Sequence, residues 1–487
     1  MNEASGPGIH LRTPRECQER VKAHFEALAP RKEAWRRRSL GYHLLLEREY
    51  RFLVPPGARV LEVGCGVGDL LAALEPSHGL GVDLSPALIE RARAKYPRPG
   101  LRFEAAAIEE FEATGEQFDY IVLSDLLGFL YDIEQVFNRL RAFCHARTRL
   151  LLNFHSRLWQ PILGAAERLG LKTPSPPLNW VTVEDVTEML HRCGYETVRS
   201  YSRFLVPKRL PPLSNLANRF LAPFSPFRWF CISNFVVARL PREPFAEPPV
   251  VSVVCPCRNE EGNIPRIVER LPKMGARTEL IFVEGNSEDG TWARCLEAQR
   301  VRPEADIQVC RQTGKGKADA VRLGFAKARG DVLMILDADL TVAPEDLPRF
   351  YEALASGRVE FVNGSRLVYP MDPKAMRFLN LCANKFFGMA FTFLIGQRIK
   401  DTLCGTKVLT KKDYERLAQG RAYFGEFDPF GDFDLLFGAA KLNLKIQDLP
   451  VRYRERSYGA TNIQRFRHGW LLLRMCRYAL WRLKCHP

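Results

Sequence analysis

A chain of 487 residues is too long for one hydrophobic core, and its 46% hydrophobic and 26% charged content is ordinary for a soluble globular protein of about two or three domains. No run reaches the roughly 18 to 20 uncharged apolar residues that a bilayer span needs, which excludes an ordinary transmembrane helix. The formal charge of +15 is uneven, with nine Lys or Arg against the single acid Glu455 from Arg452 onward, a balance that suits nucleic acid, an anionic membrane surface or a solvated face. Thirteen cysteines lack the paired C-x-x-C spacing of a zinc site, and Cys255-Pro-Cys257 stands alone, so they read as reduced, mostly buried thiols. Residues 1–38 are polar and carry no apolar signal segment, from which a cytoplasmic location is expected.

Up to Tyr50 the pattern is helical, with Val21, Phe25 and Leu28 at 3.6-residue spacing, and predicts a cap or lid. Arg59 to Asp69 then reads as strand, glycine turn and helix start. Gly64, Gly66 and Gly68 let the backbone approach a ligand at a helix amino end. A second strand ends at Asp83, a carboxylate placed about 20 residues after the glycines, where it can accept both hydroxyls of a ribose.

These residues resemble the class I S-adenosylmethionine-dependent methyltransferases, from about Val60 to Leu240. The resemblance includes the acidic Glu62 before the glycines and Phe118 to Asp125 as the fourth strand. It implies that Glu62, Gly64, Gly66, Gly68 and Asp83 hold S-adenosylmethionine, with Ile108 near the adenine and Ser124 or Asp125 near the methionine end. The glycine spacing departs from the dinucleotide G-x-G-x-x-G turn, which disfavours NAD. The methyl acceptor is not legible: Asp125, Asn153 and His155 lie near strand ends and are candidate bases, although methyl transfer can proceed mainly by positioning.

Pro241 to Pro249 holds four prolines and is expected to be an extended linker. Beyond it, Val250 to Val254 and Leu280 to Val283 read as strands, and Gly314-Lys-Gly-Lys317 opens a helix. Asp331 to Leu336 has the length and apolar content of a buried strand, so Asp337 and Asp339 should emerge at its carboxyl end. Two carboxylates one residue apart repel unless a cation separates them from an anionic ligand, and Mg²⁺ or Mn²⁺ bridging a diphosphate is the usual solution.

The order of blocks resembles the family-2 glycosyltransferases, of GT-A fold, from about Val250 to Gly469. It is most similar to the branch with dolichyl-phosphate mannose synthase and related polyprenyl-phosphate glycosyltransferases. Seven blocks carry it: Asn259-Glu260, Asp289-Gly290-Thr291, Gly314 to Lys317, Asp337-x-Asp339, Gly364-Ser-Arg366, Asp401-Thr402 with Cys404-Gly405, and Arg456 with Tyr458-Gly459. The resemblance implies a GDP- or UDP-sugar donor held by Pro256, Asn259, Glu260, Glu284, Asn286, Lys315, Lys317 and Asp337. It further implies Asp339, with Asp337, as metal ligands, and Arg366 and Arg456 as phosphate clamps. Glu284 replaces the family's usual Asp at its turn, which leaves the nucleotide open.

Acceptor chemistry divides the later carboxylates. A sugar hydroxyl needs a general base, for which Asp432, Asp434 and Asp401 are candidates; a polyprenyl phosphate is already anionic and needs little help. The apolar stretch Phe386 to Gly396 is too short to span a bilayer and suits a core or interfacial helix. In the tail, Leu472, Met475, Cys476, Ala479, Leu480 and Leu483 share one helical face, while Trp470, Arg474, Arg477, Trp481 and Lys484 share the other. That pattern fits either a monotopic membrane helix or a helix packed on the domain.

The expectation is therefore an α/β chain with a helical cap (1–50), a Rossmann-like methyltransferase sheet (51–240), a linker (241–249), a GT-A glycosyltransferase domain (250–460) and a basic amphipathic helix (461–487). It would be peripheral on the inner face of the cytoplasmic membrane. Nucleic acid is disfavoured as partner, because no binding fold accompanies the charge. A glycosyltransferase acting on a glycan hydroxyl, with a non-catalytic methyltransferase-like docking module, is the alternative.

Overall fold

The computed structural model describes residues 13–112, 115–172, 175–176, 179–370, 378–423, 431–456, 458 and 465–485. The chain divides into two compact units, the first ending at Leu240 and the second beginning at Pro241.

The first unit holds a seven-stranded sheet: β1 (Arg59–Val63), β2 (His78–Asp83), β3 (Leu101–Ala105), β4 (Phe118–Ser124), β5 (Cys144–His155), β6 (Glu196–Arg203) and β7 (Ser233–Arg239). Their order is β3-β2-β1-β4-β5-β7-β6, parallel except for β7, which runs antiparallel to both neighbours. β1 can sit centrally because Val60 to Val63 is buried on both faces, as a parallel strand covered by helices requires. Strand order reverses between β1 and β4, and this opens a crevice beyond their carboxyl ends. The cap is three helices, Pro14–Leu28, Lys32–Arg38 and Leu40–Leu53, the first begun by a Thr13/Glu16 capping box.

Between β6 and β7 the chain takes a long detour that the sequence reading passed over. It forms a short helix, Leu213–Leu216, continued with wider turns through Ala217–Leu221, and then a single turn at Phe227–Phe230. Asn218 clamps its base by donating to the carbonyl of Val206 and accepting from the amide of the same residue, both at 2.8 Å.

The second sheet comprises β8 (Val250–Cys257), β9 (Arg277–Glu284), β10 (Asp306–Arg311), β11 (Val332–Ile335), β12 (Phe361–Ser365), β13 (Lys407–Thr410) and β14 (Ile446–Pro450). The order is β10-β9-β8-β11-β13-β12-β14, with β13 antiparallel to β11 and β12. β11 pairs in parallel with β8, so order reverses between them and both end at one crevice. Val251, Val253, Leu280, Phe282, Val332 and Met334 form the buried layer beneath it. Residues 241–249 belong to this unit, where the Arg242 guanidinium reaches Asp413 at 2.6 Å and Glu360 at 2.7 Å.

The tail forms the helix Arg465–Leu480, extended by a π turn over Trp481–Cys485. Its two faces separate as expected, with Leu472, Met475, Ala479 and Leu483 buried and Trp470 and Trp481 exposed. The apolar face is spent on the unit itself: Tyr423 donates to the carbonyl of Arg482 at 2.9 Å, and the helix lies along Phe378–Ile395. The apolar face is therefore packed, as the second alternative has it, while Trp470, Leu473 and Trp481 stay exposed on the other side. No helix of the described residues is long and apolar enough to cross a membrane.

Candidate active sites

In the first crevice, Gly64, Gly66 and Gly68 all take positive φ (74°, 55° and 76°), which a glycine adopts without penalty. A Cβ on Gly64 would lie 2.7 Å from Leu126, whereas one on Gly66 would meet nothing within 4 Å, so the turn presents an open cradle at Gly66. Asp83 orders the turn through the Gly66 amide at 2.8 Å and its own loop through the Ser85 amide at 2.9 Å. Each of its oxygens keeps a lone pair for a ribose hydroxyl. Glu62 is buried, accepts from the Leu71 amide at 2.9 Å, and is pushed up from the usual carboxylate range by that burial. Ile108 is buried in the core beside β2 and β4. These residues fit an adenosyl cofactor.

Ser124 ends β4, and Asp125 follows with a left-handed φ of 52° that turns its carboxylate into the crevice. The cap closes over it. Tyr42 donates to Asp125 at 3.0 Å and shares a 2.8 Å hydrogen bond with Ser233, and Tyr50 donates to Asn153 at 2.8 Å. Asn153 in turn donates to Asp125 at 2.6 Å, and His155 Nδ1 lies 3.4 Å from the same carboxylate. Burial and the Asp125 charge hold the Tyr42 phenol well above its ordinary range, so it remains a donor. Tyr42 and Ser233 escaped the sequence reading because they lie 83 and 108 residues from Asp125, with no local pattern to connect them.

In the second crevice, Asp337 and Asp339 lie just beyond the end of β11 at Ile335. Lys317, the first residue of the Lys317–Lys327 helix, lies 2.5 Å from Asp337, and Arg456 lies 2.7 Å from Asp339. Burial opposes the Asp337 charge, but Lys317, Lys407 and Arg366 outweigh it and leave its carboxyl below the ordinary range. A Cβ on Gly405 would overlap both Asp337 and Lys317, which explains a glycine there. β8 and β9 are in register at Cys257 and Glu284, so Glu260 and Glu284 flank one opening as expected. Glu260 is raised by burial, accepts from Asn263 at 2.7 Å and stands 3.9 Å from Arg456. Asn259 (φ 56°) and Asn286 (φ 56°) shape the two turns, which are stitched by Asn259 accepting from the Glu288 amide at 2.8 Å. Tyr458 packs over Gly262, Pro256 is half-buried at the end of β8, and Lys315 is exposed at the rim.

Other expected site residues are occupied differently. Arg366 grips Asp401 through two hydrogen bonds of 2.7 and 2.9 Å, and its amide adds a third at 3.0 Å. Asp401 is fully buried and held below its usual range by that guanidinium, so it neither accepts a substrate proton nor leaves Arg366 free to clamp phosphate. Asp434 accepts from Arg322 at 2.9 Å and Arg421 at 2.7 Å. Asp432 opens the Asp432–Lys441 helix, whose preceding Gly431 packs against Ala318; its side chain, like Gly459, lies outside the described residues. Among the described residues no three His, Cys, Asp or Glu converge on one point. The donors at the end of β11 are the carboxylates of Asp337 and Asp339, oxygen ligands that suit a hard divalent ion completing its shell with water and phosphate.

Each unit carries a seven-stranded α/β sheet with a crevice beyond the carboxyl ends of its central parallel strands. Residues 252–417 match the family model Glycosyl transferase family 2, and residues 61–150 match the model Methyltransferase domain. Each unit thus holds a stretch that matches one of these two family models. Among similar proteins is the dolichol-phosphate mannosyltransferase of Pyrococcus furiosus, 36% identical over 24% of this chain and 33% of its own length. Glycosyltransferase AglJ of Haloferax volcanii is 27% identical over 46% of this chain and 70% of its own. The chain thus spans only a third of the first of these relatives. A solved S-adenosylmethionine-dependent methyltransferase from Mesorhizobium loti matches 39% of this chain and 95% of its own, at 20% identity and a TM-score of 0.31.

Proposed function

We propose that the second unit moves a sugar from a GDP- or UDP-linked donor to a polyprenyl phosphate, and that the first unit methylates an acceptor with S-adenosylmethionine. The observation that carries the sugar-transfer reading is the pair of ion pairs beyond β11, Lys317 with Asp337 and Arg456 with Asp339. Each cation can exchange its carboxylate for a phosphate oxygen when a nucleoside diphosphate enters, which releases the carboxylates for other contacts. Asp339, with Asp337, would then hold Mg²⁺ or Mn²⁺, whose role is to neutralise the leaving diphosphate. Glu260 and Glu284 take the hydroxyls and base edge of the nucleoside.

An anionic acceptor is favoured over a sugar hydroxyl by the state of two of the three candidate bases: Asp401 and Asp434 are each held by guanidinium groups. A phosphate oxygen attacks without a base, and inversion at the sugar carbon follows from in-line displacement. The dolichol-phosphate mannosyltransferase relative supports the same acceptor class. In the first unit, Asp125 and His155, 3.4 Å apart, would take the acceptor's proton as its oxygen or nitrogen attacks the sulfonium methyl.

Nucleotide release by the full-length protein, measured with Mg²⁺ or Mn²⁺ across a panel of UDP- and GDP-sugars, tests the reading. Turnover should require polyprenyl phosphate, carry label into the organic phase and fall about 100-fold or more in Asp339→Asn. Release that ignores the lipid but rises with a soluble glycan would move the acceptor to a hydroxyl. Unchanged turnover in folded Asp339→Asn would remove the metal role.

A further inference from the structure

The detour between β6 and β7 inverts the usual logic of an amphipathic segment. Its buried positions are small: Ser214, Ala217, Ala222 and Cys231 face the unit. Its large apolar side chains face outward, with Leu213 63%, Trp229 58% and Phe230 58% exposed, and Leu216 and Phe227 exposed beside them. Burial of large side chains is what ordinarily stabilises such a helix, so packing within the unit does not explain this arrangement. The neighbouring segment after β5 extends the patch. Trp159 donates its indole N–H to the carbonyl of Phe230 at 2.9 Å, which sets the exposed Leu158 and Ile162 alongside. Contiguous exposed apolar surface of this kind marks an interaction site.

Charge identifies the occupant. No acidic residue occurs between Glu196 and Glu243, and the exposed cations Lys208, Arg209, Arg228 and Arg157 border the apolar side chains. Leucines dominate with tryptophan and phenylalanine, and the side chains protrude. Nucleic acid would call for aromatic platforms in a basic groove, whereas protruding Leu, Phe and Trp edged by Lys and Arg match the depth profile of an anionic bilayer surface. We propose that this detour is a membrane-docking element, inserting Leu213, Leu216, Phe227, Trp229 and Phe230 among acyl chains while Lys208, Arg209 and Arg228 meet anionic head groups. The tail helix differs, because its Leu472, Met475, Ala479 and Leu483 face is packed while Trp470, Leu473 and Trp481 stay exposed.

Flotation of the full-length protein with vesicles tests the assignment. The vesicles are phosphatidylcholine with about one-third phosphatidylglycerol, or phosphatidylcholine alone, at low and high salt. They contain neither nucleotide sugar nor polyprenyl phosphate, so the result is independent of the sugar-transfer reading. The wild type should float with the anionic vesicles, and the triple variant Leu213→Ser, Trp229→Ser, Phe230→Ser should lose about 10-fold or more in partitioning while its thermal midpoint is retained. A second variant, Lys208→Glu, Arg209→Glu, Arg228→Glu, alters only exposed cations and should abolish the preference for anionic lipid even if the triple serine variant fails to fold. Wild-type binding by both variants, absence of wild-type flotation, or a dimer that the triple variant dissociates without any vesicle binding would overturn the proposal.

Discussion

The Arg366–Asp401 pair shows how one contact reassigns two candidate residues at once. Asp401 is removed from water and Arg366 largely so, and the carboxylate accepts the guanidinium, the Arg366 amide and the Leu403 amide, the last at 3.0 Å. An ion pair of this kind adds little over apolar packing, but removing one partner strands the other in the interior. Asp401→Asn should therefore destabilise the second unit by about 3–5 kcal/mol at neutral pH. The pH dependence follows from the direction of the shift. Asp401 is depressed in the folded protein, so its contribution is fully present above the unfolded carboxylate pKa of about 3.9 and is lost as pH falls below that value through the lower folded pKa. Urea unfolding of wild type and variant at pH 7 and in the acid range checks this: the gap between them should narrow below about pH 4. A gap independent of pH would mean that the carboxylate charge is not what stabilises Arg366.

Among the elements, the tail helix makes the clearest energetic claim. Leu472, Met475, Ala479 and Leu483 lie buried at 3.6-residue spacing along Phe378–Ile395, so the helix is part of the core of its unit. Leu472→Ala should cost about 2–5 kcal/mol in urea unfolding. A loss below about 0.5 kcal/mol, the level of an ordinary surface substitution, would show that the helix is not packed in solution. The helix also marks where sequence reading reaches its limit. Its two faces were legible from periodicity alone, as were the strands that lead to Asp83 and Asp337, because local spacing carries that information. The partner of a face is not local: whether Leu472 meets lipid or Phe378–Ile395 depends on how the second sheet closes. The same limit hid Tyr42 over Asp125, and it made Asp401 look like a free base. The β6–β7 detour was missed for a different reason. Its leucines and phenylalanines fit no period of 2 or 3.6 among five prolines between Pro207 and Pro226, so they read as loop although they are its most informative residues.

At the scale of the whole molecule, two seven-stranded sheets each carry a core and a crevice of their own. The adenosyl cradle is built from β1, β2, β4 and the cap, whereas the donor opening is built from β8, β9 and β11. Among the described residues the side chains named at each site belong to its own unit, so each ligand should stabilise the unit that binds it. A chain of two such units need not unfold in one step. Calorimetry of the full-length protein should resolve two transitions. S-adenosylhomocysteine at about 100 times its dissociation constant should add about 2.7 kcal/mol to one of them, and a nucleoside diphosphate with Mg²⁺ or Mn²⁺ should move the other by a similar amount. The assignment can be checked internally, because Asp401→Asn should lower only the transition that answers to the nucleotide. If S-adenosylhomocysteine moved neither transition, the first unit would retain the fold of a methyltransferase without its cofactor site. If both ligands moved both transitions equally, the units would be energetically coupled, and methyl and sugar transfer would have to be treated as linked equilibria.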